Sequence, residues 1–209
     1  MFTKTLSVHA QKSLALLGEN KLLPKDTYLA GGSALALIFG HRISTDFDFF
    51  TPNEFNPEEI AKKLMDIGKF ETDKITKITL LGSFETVRFS LFRYEYPLLF
   101  PPSNFNNINI ASGKDIAAMK IAAIMDRGTQ KDFFDLYFLS QKEPLDHYLE
   151  YYDRKYKALA NNIYSIITSL TYFDEAETSE KPVLLTDIDW KEVKEFFEKE
   201  AKILAKKYL

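Results

Sequence analysis

Apolar positions in the first half of the chain switch repeatedly between two periods. Leu6, Ala10, Leu14 and Leu17 recur at helical spacing, which predicts an amphipathic helix over residues 5–18. Leu23-Pro24 and Asp26 break it, and Tyr28–Ala30 reads as a short apolar strand running into Gly31-Gly32. Ser33 is expected to cap a helix over 33–40 that Gly40 closes. Residues 46–50, DFDFF, alternate acid and aromatic as a strand does. Asn56-Pro57-Glu58-Glu59 opens a further helix, with proline at its first turn and Ile60, Leu64 and Ile67 on its apolar face. Ile75–Leu81 and Glu85–Phe92 are expected as strands joined through Gly82-Ser83, and Tyr94–Phe100 is one more apolar run.

Beyond Pro101-Pro102 and SNFNN, the strongest boundary signal in the chain, the period changes from 2 to 3.6. Ser112 with Asp115 reads as a capping box opening a helix to about Arg127, and Thr129 with Asp132 as a second, opening a helix to about Ser140. Helices follow over roughly 145–172, with a break, and 187–208, separated by an acidic loop at 174–181. In the last helix Val193, Phe196, Phe197, Ala201 and Leu204 share one face. The architecture expected is an α/β lobe over residues 1–110 followed by an all-helical lobe over 111–209.

Two clusters carry chemistry. On a strand, Asp46 and Asp48 point to the same face. Two neighbouring carboxylates repel each other and call for a compensating cation, and an all-oxygen donor set suits Mg2+. The Gly31-Gly32-Ser33 turn leads into a helix whose free N–H groups suit a phosphate. A plainer reading keeps Ser33 as a cap, the glycines as a turn and the two acids as a strand pair with separate partners. Arg42 either pairs with Asp46 or Asp48, reaches a phosphate, or locks the loop. The second cluster is in KDIAAMKIAAIMDRGTQKDFFDLYFL, residues 114–139. Lys120, Ile124 and Arg127 lie along one helical face. Lys120 interrupts IAAMKIAAI, where a lysine is costly unless a phosphate or an acid pairs with it. Next come Lys131, Asp132 and Asp135. A local reading has Asp132 as the cap and Lys131 paired with Asp135.

Composition changes the picture in three places. With 18 Phe and 11 Tyr in 209 residues, a sizeable core is available. A net charge of −3 argues against a wholly nucleic-acid-coated surface but leaves room for a local basic patch. The absence of cysteine removes disulfide, thiolate and zinc–thiolate chemistry and fits a cytoplasmic protein. No run reaches the ~18 apolar residues of a membrane span, and the N-terminus lacks the features of a signal peptide.

The segments GGSALALIFGHRISTDFDFF and MKIAAIMDRGTQKDFFDLYFL, in this order, resemble the AbiEii/AbiGii toxin family of nucleotidyltransferases, within the DNA polymerase β-like superfamily. The resemblance covers about residues 28–140. It implies an α+β fold, with a mixed-sheet nucleotidyltransferase lobe, a helical C-terminal lobe and a cleft between them. It implies Mg2+-dependent transfer of a nucleoside monophosphate from a nucleoside triphosphate to an acceptor hydroxyl, on tRNA or protein, by the toxin of a pair with an antitoxin. Carried over to this chain, Asp46 and Asp48 would bind metal and Gly32 and Ser33 phosphates. Lys120 would bind nucleotide phosphate, and Asp135 matches the family's suggested base; apart from the resemblance, Arg42, Arg127 and Lys131 are further candidates for phosphate by their charge and place in the chain. One departure stands out: many superfamily members have a third carboxylate on a later strand, and the best-matching strand, TVRFSLFRYEYPLL, has Ser90 there, with Glu95 further along. The alternative reading is therefore a non-catalytic nucleotide- or partner-binding module on the same fold.

Overall fold

The computed structural model describes all 209 residues. They form two compact units, Met1–Ser112 and Gly113–Leu209. No helix is long and apolar enough to cross a membrane.

The first unit is built on a seven-stranded mixed sheet whose strands lie side by side in the order 70–76, 79–84, 87–93, 46–51, 28–30, 108–110 and 103–105. A 3-10 turn at Thr3–Thr5 precedes α1 (Val8–Asn20), so this helix starts later than its apolar spacing suggests. The reason is Ser7, whose Oγ accepts from the N–H of Ala10 and caps the helix. Next come β1 (Tyr28–Ala30), α2 (Gly31–Phe39), β2 (Asp46–Thr51) and α3 (Pro57–Ile67). Asn56 caps α3 by accepting from the N–H groups of Glu58 and Glu59.

The strands β3 (Phe70–Thr76), β4 (Thr79–Phe84) and β5 (Val87–Arg93) form an antiparallel meander. This corrects the expected division. Gly82-Ser83 lies inside β4, where a Cβ on Gly82 would collide with the Glu71 carbonyl and sit 2.9 Å from the Phe70 ring. The turn falls at Glu85-Thr86, both at positive φ, as a two-residue hairpin of the primed type requires. Tyr94–Phe100 forms no regular strand. After Pro101-Pro102 the chain makes a hairpin missing from the sequence reading, β6 (Ser103–Phe105) and β7 (Ile108–Ile110), turning through Asn106-Asn107 at positive φ.

β2 is antiparallel to β1 and parallel to β5, and β1 is parallel to β7. Phe47 and Phe49 are fully buried on one face of β2, with Phe89 and Leu91 beside them on β5. The other face carries Asp46, Asp48 and Phe50, all partly exposed.

The second unit contains α4 (Gly113–Asp126), α5 (Gln130–Ser140), α6 (Leu145–Tyr156), α7 (Leu159–Ser169), α8 (Asp174–Thr178) and α9 (Trp190–Tyr208). The break between α6 and α7 is at Lys157, in the left-handed region at φ 52°. The acidic stretch after Phe173, expected as a loop, winds into α8. Phe133, Phe173, Trp190 and Phe197 pack ring to ring, with centroids 5.2 to 5.7 Å apart, and hold α5, α8 and α9 together. On α9, Val193, Phe197, Ala201 and Leu204 are buried.

Candidate functional site

In the first unit the register of three strands assembles a polar patch. Ala30, the last residue of β1, pairs with Asp48, so α2 begins directly beside that carboxylate. Gly31 makes this approach at φ +63°, where glycine is favoured, and a Cβ there would lie 2.9 Å from Asp48 Oδ2. A Cβ on Gly32 would collide with the Arg42 guanidinium and sit 3.2 Å from Ser44 Oγ. The two glycines therefore let a carboxylate and a buried arginine both close on the start of α2, where helical N–H groups lack intrahelical acceptors.

Ser33 does not cap α2. The helix starts two residues earlier, with Ala30 at the cap position and no side-chain capping bond. Ser33 is buried, and its hydroxyl donates to the Asp46 carbonyl and hydrogen-bonds Ser44 Oγ at 3.0 Å. It ties α2 to the first residue of the acidic strand. Arg42 is buried as well and donates from Nη1 to the Ile43 carbonyl at 3.1 Å. Thr45 Oγ1 donates to Asp46 Oδ1 at 3.3 Å.

On the neighbouring strand, parallel pairing sets Arg88 opposite Asp46 and Ser90 opposite Asp48. Alternation then brings both side chains to the carboxylate face. Arg88 is exposed. The sequence reading missed it, although its place two residues before Ser90 in the quoted strand was the available signal. Glu95 lies beyond the end of β5 and pairs with Arg93 Nη2 at 3.1 Å.

Two carboxylates and a hydroxyl make an all-oxygen donor set. No group of three carboxylates or imidazoles gathers to hold a metal alone. That set fits Mg2+, which is commonly held by one or two carboxylates and completed by water and substrate phosphates. Asp46 and Asp48 are the residues that would hold it.

In the second unit, α4 and α5 bring Lys120, Asp132 and Asp135 together. Lys120 Nζ lies 2.8 Å from Asp132 Oδ1 and 2.7 Å from Asp135 Oδ2, with all three residues buried. Of the two partners open to Lys120, the structure thus provides acids. Arg127, just past the end of α4, is mostly exposed and binds Asp132 in bidentate fashion, Nε to Oδ2 at 3.1 Å and Nη2 to Oδ1 at 3.2 Å. Thr129 Oγ1 donates to Asp132 Oδ2 at 2.6 Å. The expected capping box is absent: Thr129 holds the cap position without a side-chain capping bond, and Asp132 turns inward to the cations. Burial alone would raise the Asp132 pKa, but Lys120 and Arg127 outweigh it and hold the carboxyl well below its ordinary range.

The Lys131–Asp135 pair of the local reading does not form. Lys131 instead reaches Glu180 at 2.6 Å. Asp115, expected in a cap, pairs at 2.9 Å with Lys155 of α6, and both side chains are wholly buried. This pair escaped the sequence reading because Lys155, in the last turn of α6, looks like an ordinary solvated helix end.

Comparison with known proteins adds three findings. A family model described as "Nucleotidyl transferase AbiEii toxin, Type IV TA system" matches residues 15–110 and 93–205. An uncharacterized protein of Aquifex aeolicus (strain VF5) is 41% identical over 185 residues, covering 85% of this chain and 87% of its own. Among solved structures, the fold is similar to MenT4, a nucleotidyltransferase toxin from Mycobacterium tuberculosis H37Rv, with a TM-score of 0.64 at 14% identity over 94% of this chain and 82% of that one. It is also similar to JHP933 from Helicobacter pylori, with a TM-score of 0.57 at 19% identity over 97% and 94% of the two chains.

Proposed function

The chain belongs to the AbiEii family of nucleotidyltransferase toxins, and on that premise we propose that it moves a nucleoside monophosphate from a nucleoside triphosphate to an acceptor hydroxyl, on tRNA or a protein, in a Mg2+-dependent reaction restrained by an antitoxin. The observation that carries this reading is the approach of Asp48 to Gly31, which sets a carboxylate pair against the start of a helix. A triphosphate needs both parts: N–H groups for its outer phosphates and a cation held by carboxylates for the reacting one.

In the reaction, the acceptor oxygen bonds to the α-phosphorus while the bond to pyrophosphate breaks, and the hydroxyl proton passes to a base. Mg2+, when bound, would neutralise charge on the phosphate oxygens. Asp46 and Asp48 would orient that ion, and the Gly32 and Ser33 N–H groups would receive the outer phosphates. Arg42 supports this turn from behind Gly32, and Arg88, beside Asp46, adds a cation on the far side of the carboxylates. In the second unit Lys120 and Asp135 are buried and engaged with one another and with Asp132, an ion cluster that ties α4 to α5. Asp132 orients Lys120.

A second reading rests on Ser90. With a hydroxyl where many superfamily members place a carboxylate, the protein would bind nucleotide without transferring it. Transfer of α-32P label from each of the four ribonucleoside triphosphates, with Mg2+, onto total tRNA and onto the protein itself separates the two. The expected result is label that disappears in Asp48→Ala. Triphosphate binding without label would favour the binding module.

A further inference from the structure

In the helical unit a groove of about 280 Å3 opens between α7 and α9. Its floor is Ile167, Ala201 and Ala205, and Thr168 and Thr171 wall it on the α7 side. The two threonine hydroxyls are committed to their own backbone. Thr168 Oγ1 donates to the Tyr164 and Ser165 carbonyls at 2.9 and 3.0 Å, and Thr171 Oγ1 to the Thr168 carbonyl at 3.1 Å. The groove therefore suits apolar atoms rather than a polar small molecule. Tyr164, one turn before Thr168 on the same face of α7, extends this surface and is 66% exposed.

The α9 rim of the groove carries Glu198 and Lys202. Both are exposed, and neither side chain forms an ion pair or hydrogen bond within the chain. Yet a glutamate four residues before a lysine is the favourable order for a helical pair, and the same helix closes even the reverse order between Lys191 and Glu195, at 3.7 Å. The exposed charges along this side are also segregated: Glu195 and Glu198 come first, Lys202 and Lys206 after them. A two-fold axis crossing the helix at Glu200 sets α9 antiparallel to a copy of itself. It places Glu198 against the second copy's Lys202, and Lys202 against the second copy's Glu198, with acidic and basic halves facing each other. Ala201 and Ala205, with no side chain beyond Cβ, let two helices approach closely over the apolar floor.

We propose that a second copy of this chain covers the groove, in a two-fold dimer formed by α7 and α9 and held by two reciprocal Glu198–Lys202 contacts. One surface holds the hollow, the small residues and both signs of charge, which is the self-complementarity that a two-fold interface requires. This interface uses no residue of the proposed nucleotide site and stands apart from that reading.

The test is sedimentation velocity of the full chain over a range of concentrations, without nucleotide. It compares wild type, Glu198→Lys, Lys202→Glu and the double variant Glu198→Lys/Lys202→Glu. Wild type is expected to dimerise in a concentration-dependent way. Each single reversal sets like charges against each other at two places and should weaken the dimer by roughly tenfold. The double variant restores both contacts with their signs exchanged and should dimerise as wild type does. An equimolar mixture of the two single variants should form the mixed dimer for the same reason. Loss of helix stability would not produce this rescue. A wild type that stays monomeric throughout, single variants that dimerise as wild type does, or a double variant as weak as the singles would overturn the proposal.

Discussion

Asp48 and Ser90 stand opposite one another on parallel strands β2 and β5, on the same face of the sheet. The register makes Ser90 the place from which a third carboxylate would reach a cation held by Asp46 and Asp48. Ser90→Asp is therefore expected to tighten divalent-cation binding by roughly tenfold, well inside the ~4 kcal/mol available to unit charges 4 Å apart at an effective dielectric of 20. Mn2+ titration followed by calorimetry reads this directly. An unchanged affinity would mean that position 90 does not face the cation.

Gly31 is the residue through which α2 closes on Asp48. Gly31→Ala places a side chain at φ +63° and at 2.9 Å from the Asp48 carboxylate. The left-handed conformation alone costs roughly 1–2 kcal/mol, and the carboxylate must move. The expected outcome is a lower Tm together with a greater loss of triphosphate binding than of fold. Retention of full binding at reduced stability would separate the glycine from the site.

Lys155 and Asp115 test how far buried charge is structural in the helical unit. Lys155→Met removes the cation from a buried carboxylate and should cost about 3–5 kcal/mol. The double variant Lys155→Met/Asp115→Leu should recover most of that, because apolar replacement of a whole buried pair is often neutral or stabilising. Urea unfolding of the single and double variants checks this, and nucleotide transfer should be unaffected in the double variant.

Asp132 gives the helical unit a defined response to acid. Its folded pKa is depressed below the ordinary carboxylate value of 3.8. The stability it contributes is therefore fully present above that value and is lost as pH falls through the folded pKa. The stability difference between wild type and Asp132→Asn, measured by urea unfolding at several pH values, should be constant above about pH 5 and shrink on acidification below the 3.8 midpoint. A difference that grew on acidification would contradict the assignment of its partners.

The parts of the site that depend on local chemistry were legible in the sequence. Alternation put Asp46 and Asp48 on one face, Asn56-Pro57 opened α3, and Gly40 closed α2. Ser33 was misplaced because a serine after two glycines looks like a cap, whereas its real acceptor, the Asp46 carbonyl, is 13 residues away. Gly82-Ser83 misled for a similar reason: the glycine answers to the crowding of β3, not to a turn. Asn106-Asn107 was readable, since adjacent asparagines tolerate positive φ. The partners of Lys120 were not, because an apolar run says that a lysine needs an anion and nothing about which one.

The short strand β1 lies between β2, about 20 residues later, and β7, about 80 residues later. Closing the second loop carries the larger entropic cost, though the penalty grows only with the logarithm of length. During synthesis, the sheet edge beside Leu29 stays open until Ile110 has left the ribosome. The half of the protein that bears the two aspartates thus has a built-in delay: more than half of the chain must be made before its last backbone partner arrives, and a nascent chain cut short before that point is left with a bare strand edge.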